Sequence, residues 1–158
     1  MLRKCIVVFV LILSLCGLTS CRNQNEQVSI LKSEVSIEQY LDSTGAKVLF
    51  IYDKNNILYK FVVYGSTDYD EYGKDIVASA LSVLSINTIN SILSLTDIDI
   101  KYESTTLNDK PYLECYIDRF DNSEQKKEYN LFIESLKLGV EEIEELYGSQ
   151  YVEVIEIK

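Results

Sequence analysis

Few residues of this chain could do chemistry, and most of them gather between Gly65 and Ser79. There a polar stretch, GSTDYDEYGKD, runs directly into an apolar one, IVASALSVLSINTINSILSL. That order suits a site in which a loop faces a helix N-terminus, where backbone N–H groups and the helix dipole stabilise an anion or a thiolate. Ser66 and Ser79 supply hydroxyls, Lys74 an amine and Asp75 a carboxylate placed to cap the helix or to orient a partner. The chain has no His, so Cys-His and Ser-His pairs are excluded within one molecule. What remains is a Ser-Lys arrangement of Ser66 or Ser79 with Lys74, and one helical step turns Ser79 by about 100° from its neighbour Ala78. Asp68, Asp70 and Glu71 could hold a hard cation weakly, but they lack the Gly and the terminal bidentate Glu of an EF-hand loop. Cys115 shares one face of an alternating stretch with Leu113 and Ile117 and reads as a small core residue. There is no Cys/His zinc spacing, phosphate-binding glycine loop or dinucleotide fingerprint, so neither metal nor cofactor is expected.

The elements that must position these residues follow from hydrophobic period and turn chemistry. Lys47 to Tyr52 and Ile57 to Tyr64 read as the two strands of a hairpin turned by Asp53-Lys54-Asn55-Asn56. From Asp75, apolar residues at 76, 77, 80, 81, 84, 88 or 89, and 92 trace a helical stripe rich in Val and Ile, which burial must support. Asp97 to Glu103 alternates as a strand with Ile98, Ile100 and Tyr102 on one face; Thr105 to Lys110 reads as a turn. Tyr112 to Asp118 is the next strand. A second helix begins at Asp121, with Glu124 as its capping-box partner and Ser123 as a rival cap. Its stripe steps through 129, 132, 133, 136, 140, 143 and 147 and stops at Gly148, with Glu141, Glu142, Glu144 and Glu145 on a solvated face. Tyr151 to Ile157 closes as a strand. The order β-β-α-β-β-α-β predicts an α+β two-layer sandwich: a mostly antiparallel sheet of about five strands with two helices on one face.

The 158 residues suit one domain, residues 46–158, plus an extension. Arg3 and Lys4, the apolar run Ile6 to Leu15 and then Leu18-Thr19-Ser20-Cys21 resemble the signal peptide and lipobox of bacterial lipoproteins. The resemblance implies cleavage after residue 20, lipid such as palmitate on Cys21, and a membrane-anchored domain outside the cytoplasm. An uncleaved anchor, or an ordinary signal peptide with an incidental Cys21, is the alternative. Residues 21–45 read as a tether and a loosely amphipathic segment, Val28 to Leu41. Removing residues 1–20 takes away Arg3 and Lys4 and no acid, moving the formal charge from −10 to −12. Such a balance argues against nucleic acid and against adhesion to anionic lipid. Cys5 and Cys16 leave with the signal, so with Cys21 lipidated Cys115 is the one free thiol and no internal disulfide forms.

Residues 65–82 carry a second resemblance. Gly65-Ser66-Thr67, the acidic Tyr/Gly loop, Gly73-Lys74-Asp75-Ile76-Val77 and Ala78-Ser79-Ala80-Leu81-Ser82 are similar, without a gap, to the motif of the ribosomal-processing cysteine proteases called Prp. Asn90 and the element order through residue 157 agree with it. The resemblance implies a catalytic His at the place of Ser66, a catalytic Cys at the place of Ala78, Asp75 as a motif acid, and Gly65 and Gly73 framing the loop. It also implies a homodimer and trimming of the N-terminal extension of a ribosomal protein. With Ser66 and Ala78 in those places, the expectation is an inactive, tethered relative whose loop and groove bind a peptide or protein or serve as structure. An active hydrolase that processes a ribosomal protein is the alternative; the 12 tyrosines suit an amphipathic contact surface for a homodimer.

Overall fold

The chain divides into two units, Met1–Ser36 and Ile37–Lys158. The computed structural model describes residues 37–40 and 44–158, all within the second. The expected signal peptide, Cys21 and most of the segment expected to be a tether (residues 21–45) therefore lie outside the described residues. Of the segment Val28 to Leu41, Ile37–Tyr40 is a single 3₁₀ turn.

The remainder has the expected layout. Strands β1 (Ala46–Tyr52) and β2 (Leu58–Tyr64) precede helix α1 (Ile76–Leu95); β3 (Lys101–Leu107) and β4 (Lys110–Tyr116) precede α2 (Ser123–Tyr147); β5 (Val152–Ile157) ends the fold. The strands form one sheet in the order β3-β4-β2-β1-β5. All neighbours are antiparallel except β1 and β5, which run parallel because α2 carries the chain back across the sheet. Asp53 builds the first hairpin turn, its carboxylate accepting from the N–H groups of Asn55 and Ile57, while Asn56 takes a positive φ of 59°.

One core lies between sheet and helices, with Phe50, Phe61, Val77, Ile92, Cys115, Tyr129, Ile133, Leu136 and Val140 all at 0–1 % exposure. The buried Tyr129 hydroxyl donates to the Tyr59 carbonyl at 3.1 Å. β1 is buried on both faces, since Leu49 and Ile51 alternate with the core residues Val48 and Phe50. α1 carries no charged residue over 20 positions, yet its partner is the core: Val77, Leu81, Ile89 and Ile92 are buried. Its two polar residues on that face, Ser85 and Thr88, donate their hydroxyls back to the Leu81 and Leu84 carbonyls and so cost little to bury.

Five local expectations are corrected. Residues 97–100 are not strand: Thr96 ends α1, its hydroxyl donating to the Ile92 carbonyl and accepting from Ile98 N–H, so Ile98 and Ile100 are buried in a connection while Tyr102 is exposed. β3 instead runs on to Leu107, because Asn108 and Asp109, both at positive φ, make a two-residue turn rather than the longer one expected from Thr105. The cap of α2 is Asn122, not Asp121 or Ser123; its side chain accepts from Glu124 and Gln125 N–H, and Gln125 reaches back to Asp121 N–H. Ile76 stands outside the buried stripe of α1, and Glu144 is not purely solvated, since its carboxylate accepts from Val154 N–H at 3.3 Å.

Candidate functional site

The loop between β2 and α1 is assembled around one carboxylate. Asp75 is the N-cap of α1, and its Oδ1 accepts from Ala78 N–H at 2.7 Å. Its Oδ2 accepts from the Thr67 hydroxyl at 2.5 Å and from Tyr69 N–H at 3.1 Å. Asp75 thus ties the first turn of the helix to the start of the loop and brings the neighbourhoods of Ser66 and Ala78 together. Burial opposes its charge, but the hydrogen bonds from Ala78, Thr67 and the loop amides outweigh that cost and hold the carboxyl below its ordinary range.

Two further contacts fix the loop. Gly65 leaves β2 at φ +97° with its N–H donating to the Pro111 carbonyl, and a Cβ there would lie 2.9 Å from the Gly45 carbonyl oxygen. Glycine is required on both counts. Tyr69 packs edge-on against Tyr147 at the end of α2 and Tyr151 before β5, with ring centroids 5.3 and 5.0 Å apart. Beyond it the loop opens to solvent, where Tyr72 is fully exposed and a Cβ added at Gly73 would meet nothing within 4 Å.

Sequence reasoning placed Gly65, Ser66, Gly73, Asp75 and Ala78 on this loop and helix start, and they are there. It missed Thr67, which is 3 % exposed, and Tyr69. Tyr69 carries no local signal, because its ring partners lie some eighty residues away in sequence, whereas Thr67 follows Ser66 in the motif and its partner Asp75 is only eight residues on. Ser66 and Ala78 are both half-buried. The Ser-Lys arrangement finds no geometric support: Lys74 is exposed and ion-paired with Glu71 at 2.7 Å, and Ser79 donates its hydroxyl to the Asp75 carbonyl. Asp70 accepts from the adjacent Glu71 N–H, and among the described residues no three His, Cys, Asp or Glu side chains group as metal ligands. Cys115 is fully buried, and that burial, with Glu114 beside it, pushes its thiol up to about 12. At neutral pH it is a protonated core residue.

A family model described as cysteine protease Prp matches residues 46–153. Three solved structures share the fold. SMU.848 from Streptococcus mutans is 24% identical, covering 72% of this chain and 95% of its own, with a TM-score of 0.60. The ribosomal processing protease Prp from Staphylococcus aureus, in complex with a substrate peptide, is 18% identical over 70% of this chain and 98% of its own, with a TM-score of 0.54. The same protease with a covalently linked product peptide is 19% identical at a TM-score of 0.57. No curated protein matches the chain.

Proposed function

Since the chain belongs to the Prp cysteine protease family, we propose that it is a non-catalytic member, lipid-anchored through Cys21 outside the cytoplasm, whose loop and groove bind an extended peptide or protein segment. The observation that carries this reading is the pair Ser66 and Ala78 in a chain with no His. Ala78 stands in the first turn of α1, where a thiolate would gain from the helix dipole, and a methyl group cannot attack a carbonyl. The loop that would frame such a nucleophile is nevertheless fastened at Asp75, Gly65 and Tyr69. A frame kept without its nucleophile serves binding or structure.

The address and the missing pair support each other. A ribosomal substrate is cytoplasmic, whereas Leu18-Thr19-Ser20-Cys21 points to the outer surface. The decisive experiment incubates the purified chain with a peptide carrying an extended ribosomal-protein N-terminus. No cleavage is expected, and whatever peptide or protein segment the lipid-free mature domain captures in an affinity pulldown should be lost when residues 66–74 are shortened. Cleavage abolished by Ser66→Ala would overturn the reading. Metabolic labelling with a palmitate analogue, with and without Cys21→Ala, tests the anchor; the label should depend on Cys21. A homodimer, implied by the family resemblance, is tested by the solution mass of the same preparation.

A further inference from the structure

The sheet has a second buried face. Val48 and Phe50 of β1 point to the core shared with α1 and α2. Leu49 and Ile51 alternate with them, and register sets Val62 beside Leu49 and Tyr64 beside Lys47, so these side chains point the other way. Ile155 and Ile157 of β5, level with Leu49 and Ile51, extend the same apolar patch. A sheet packed on helices at one face commonly turns polar residues to water at the other. Here Leu49, Ile51, Val62 and Tyr64 are apart from the helix-side cluster, yet all are 1–3 % exposed or, for Val62, fully buried. That burial arises within one molecule, so its cover comes from the same chain.

The residues ahead of β1 approach this face. Lys47 lies on it, 6 % exposed, and its ammonium is held by the Thr44 carbonyl at 2.9 Å and by Glu153 at 2.8 Å. Glu153 is level with Lys47 on the same face, so Thr44 is drawn to that side and the chain enters β1 from it. Tyr40, at the end of the turn Ile37–Tyr40, is half-buried. Four residue steps join it to Thr44, at most about 14 Å of extended chain, or about three strand spacings. Turn and sheet belong to one compact unit, Ile37–Lys158.

We propose that residues 37–44 form a strap that closes the second face of the sheet, with Tyr40 packed beside Leu49 and Tyr64. The segment brings Ile37, Tyr40 and Leu41 within five positions, apolar residues suited to the aliphatic centre of that face. It precedes residues 46–153, which the family model matches, and so adds to the family domain. The extension then joins the fold at residue 37, and the length between the proposed anchor at Cys21 and the fold shortens to residues 22–36. The strap also ends at the root of the candidate loop, where the Gly45 carbonyl abuts Gly65. None of this depends on peptide binding at that loop.

The test uses the full chain in detergent, with methyl-labelled Ile, Leu and Val, read by nuclear Overhauser effects. Contacts from Tyr40 or Leu41 to the methyls of Leu49 and Val62 are expected. Tyr40→Ser should remove its own contacts and speed cleavage after Glu38 by a glutamyl endopeptidase at least tenfold, while contacts within the helix-side core persist. Contacts from Tyr40 to Tyr69 or Tyr151 would put the segment on the helix side and overturn the proposal. So would contacts to Leu49 and Val62 from detergent alone or only from residues before 37, or equal cleavage of the two chains. Contacts seen only between differently labelled molecules, with a doubled mass, would overturn it in favour of a second copy.

Discussion

Replacing Asp75 tests whether one carboxylate holds the loop and the helix together. Asp75→Ala removes the cap on Ala78 N–H, worth about 1 kcal/mol. It also strands the buried Thr67 hydroxyl, whose bond to an ionised acceptor is worth about 2 kcal/mol. Tyr69 N–H is exposed, so water replaces its bond at little cost. The sum is about 3 kcal/mol, or a fall in Tm of about 10 °C for a domain of this size. Asp75→Asn should cost only about 1 kcal/mol, because its carbonyl oxygen still caps Ala78 and the Thr67 hydroxyl can turn to accept, leaving one donor facing Tyr69 N–H. The assay is urea unfolding of the three proteins from pH 7 to pH 3. Because the folded-state pKa of Asp75 is lowered, its contribution is complete above the unfolded carboxylate value and is lost as pH falls through the folded one. The gap between wild type and Asp75→Asn should therefore shrink below about pH 4. Equal stabilities of the Ala and Asn variants, losses under about 0.5 kcal/mol in both, or a gap that widens on acidification would refute the account.

Tyr69→Ala should lower stability by about 1–2 kcal/mol through its two edge-on ring contacts; protease nicking within residues 66–74 should rise in parallel, and an unchanged nicking rate would count against the clamp. Gly65→Ala should cost about 2 kcal/mol or more, since it combines positive φ with a close carbonyl; a Tm within a degree or so of wild type would contradict this. Cys115 should resist iodoacetamide at pH 8 in the folded chain and react on unfolding, as judged by peptide mass mapping, because burial keeps its thiol protonated. Ser66→His together with Ala78→Cys should yield a thiol whose alkylation profile has a midpoint below about 8.5; an ordinary midpoint would mean that the two positions are not aligned for catalysis.

Local rules written along the chain were enough for much of this protein. The apolar, β-branched and aromatic runs Lys47 to Tyr52 and Ile57 to Tyr64, with the Asp53-to-Asn56 turn between them, specify the hairpin, because strand propensity and turn chemistry act within a few residues. The stripe from Tyr129 to Tyr147 specifies α2 in the same way. The motif from Gly65 to Ala78 marks the candidate site, and the absence of His excludes Cys-His and Ser-His pairs within one molecule.

Tertiary structure decided what several segments at once must satisfy. The alternation of Asp97 to Tyr102 looks like a strand, but Thr96 uses this segment to close α1, and burial of Ile98 and Ile100 serves a connection equally well. Tyr69 became part of the site only because α2 and β5 bring Tyr147 and Tyr151 beside it. The exposed edge of β3 exists only once strand order is set. Local pattern records which face of an element is apolar; which elements meet depends on loop closure and packing among residues far apart in the chain.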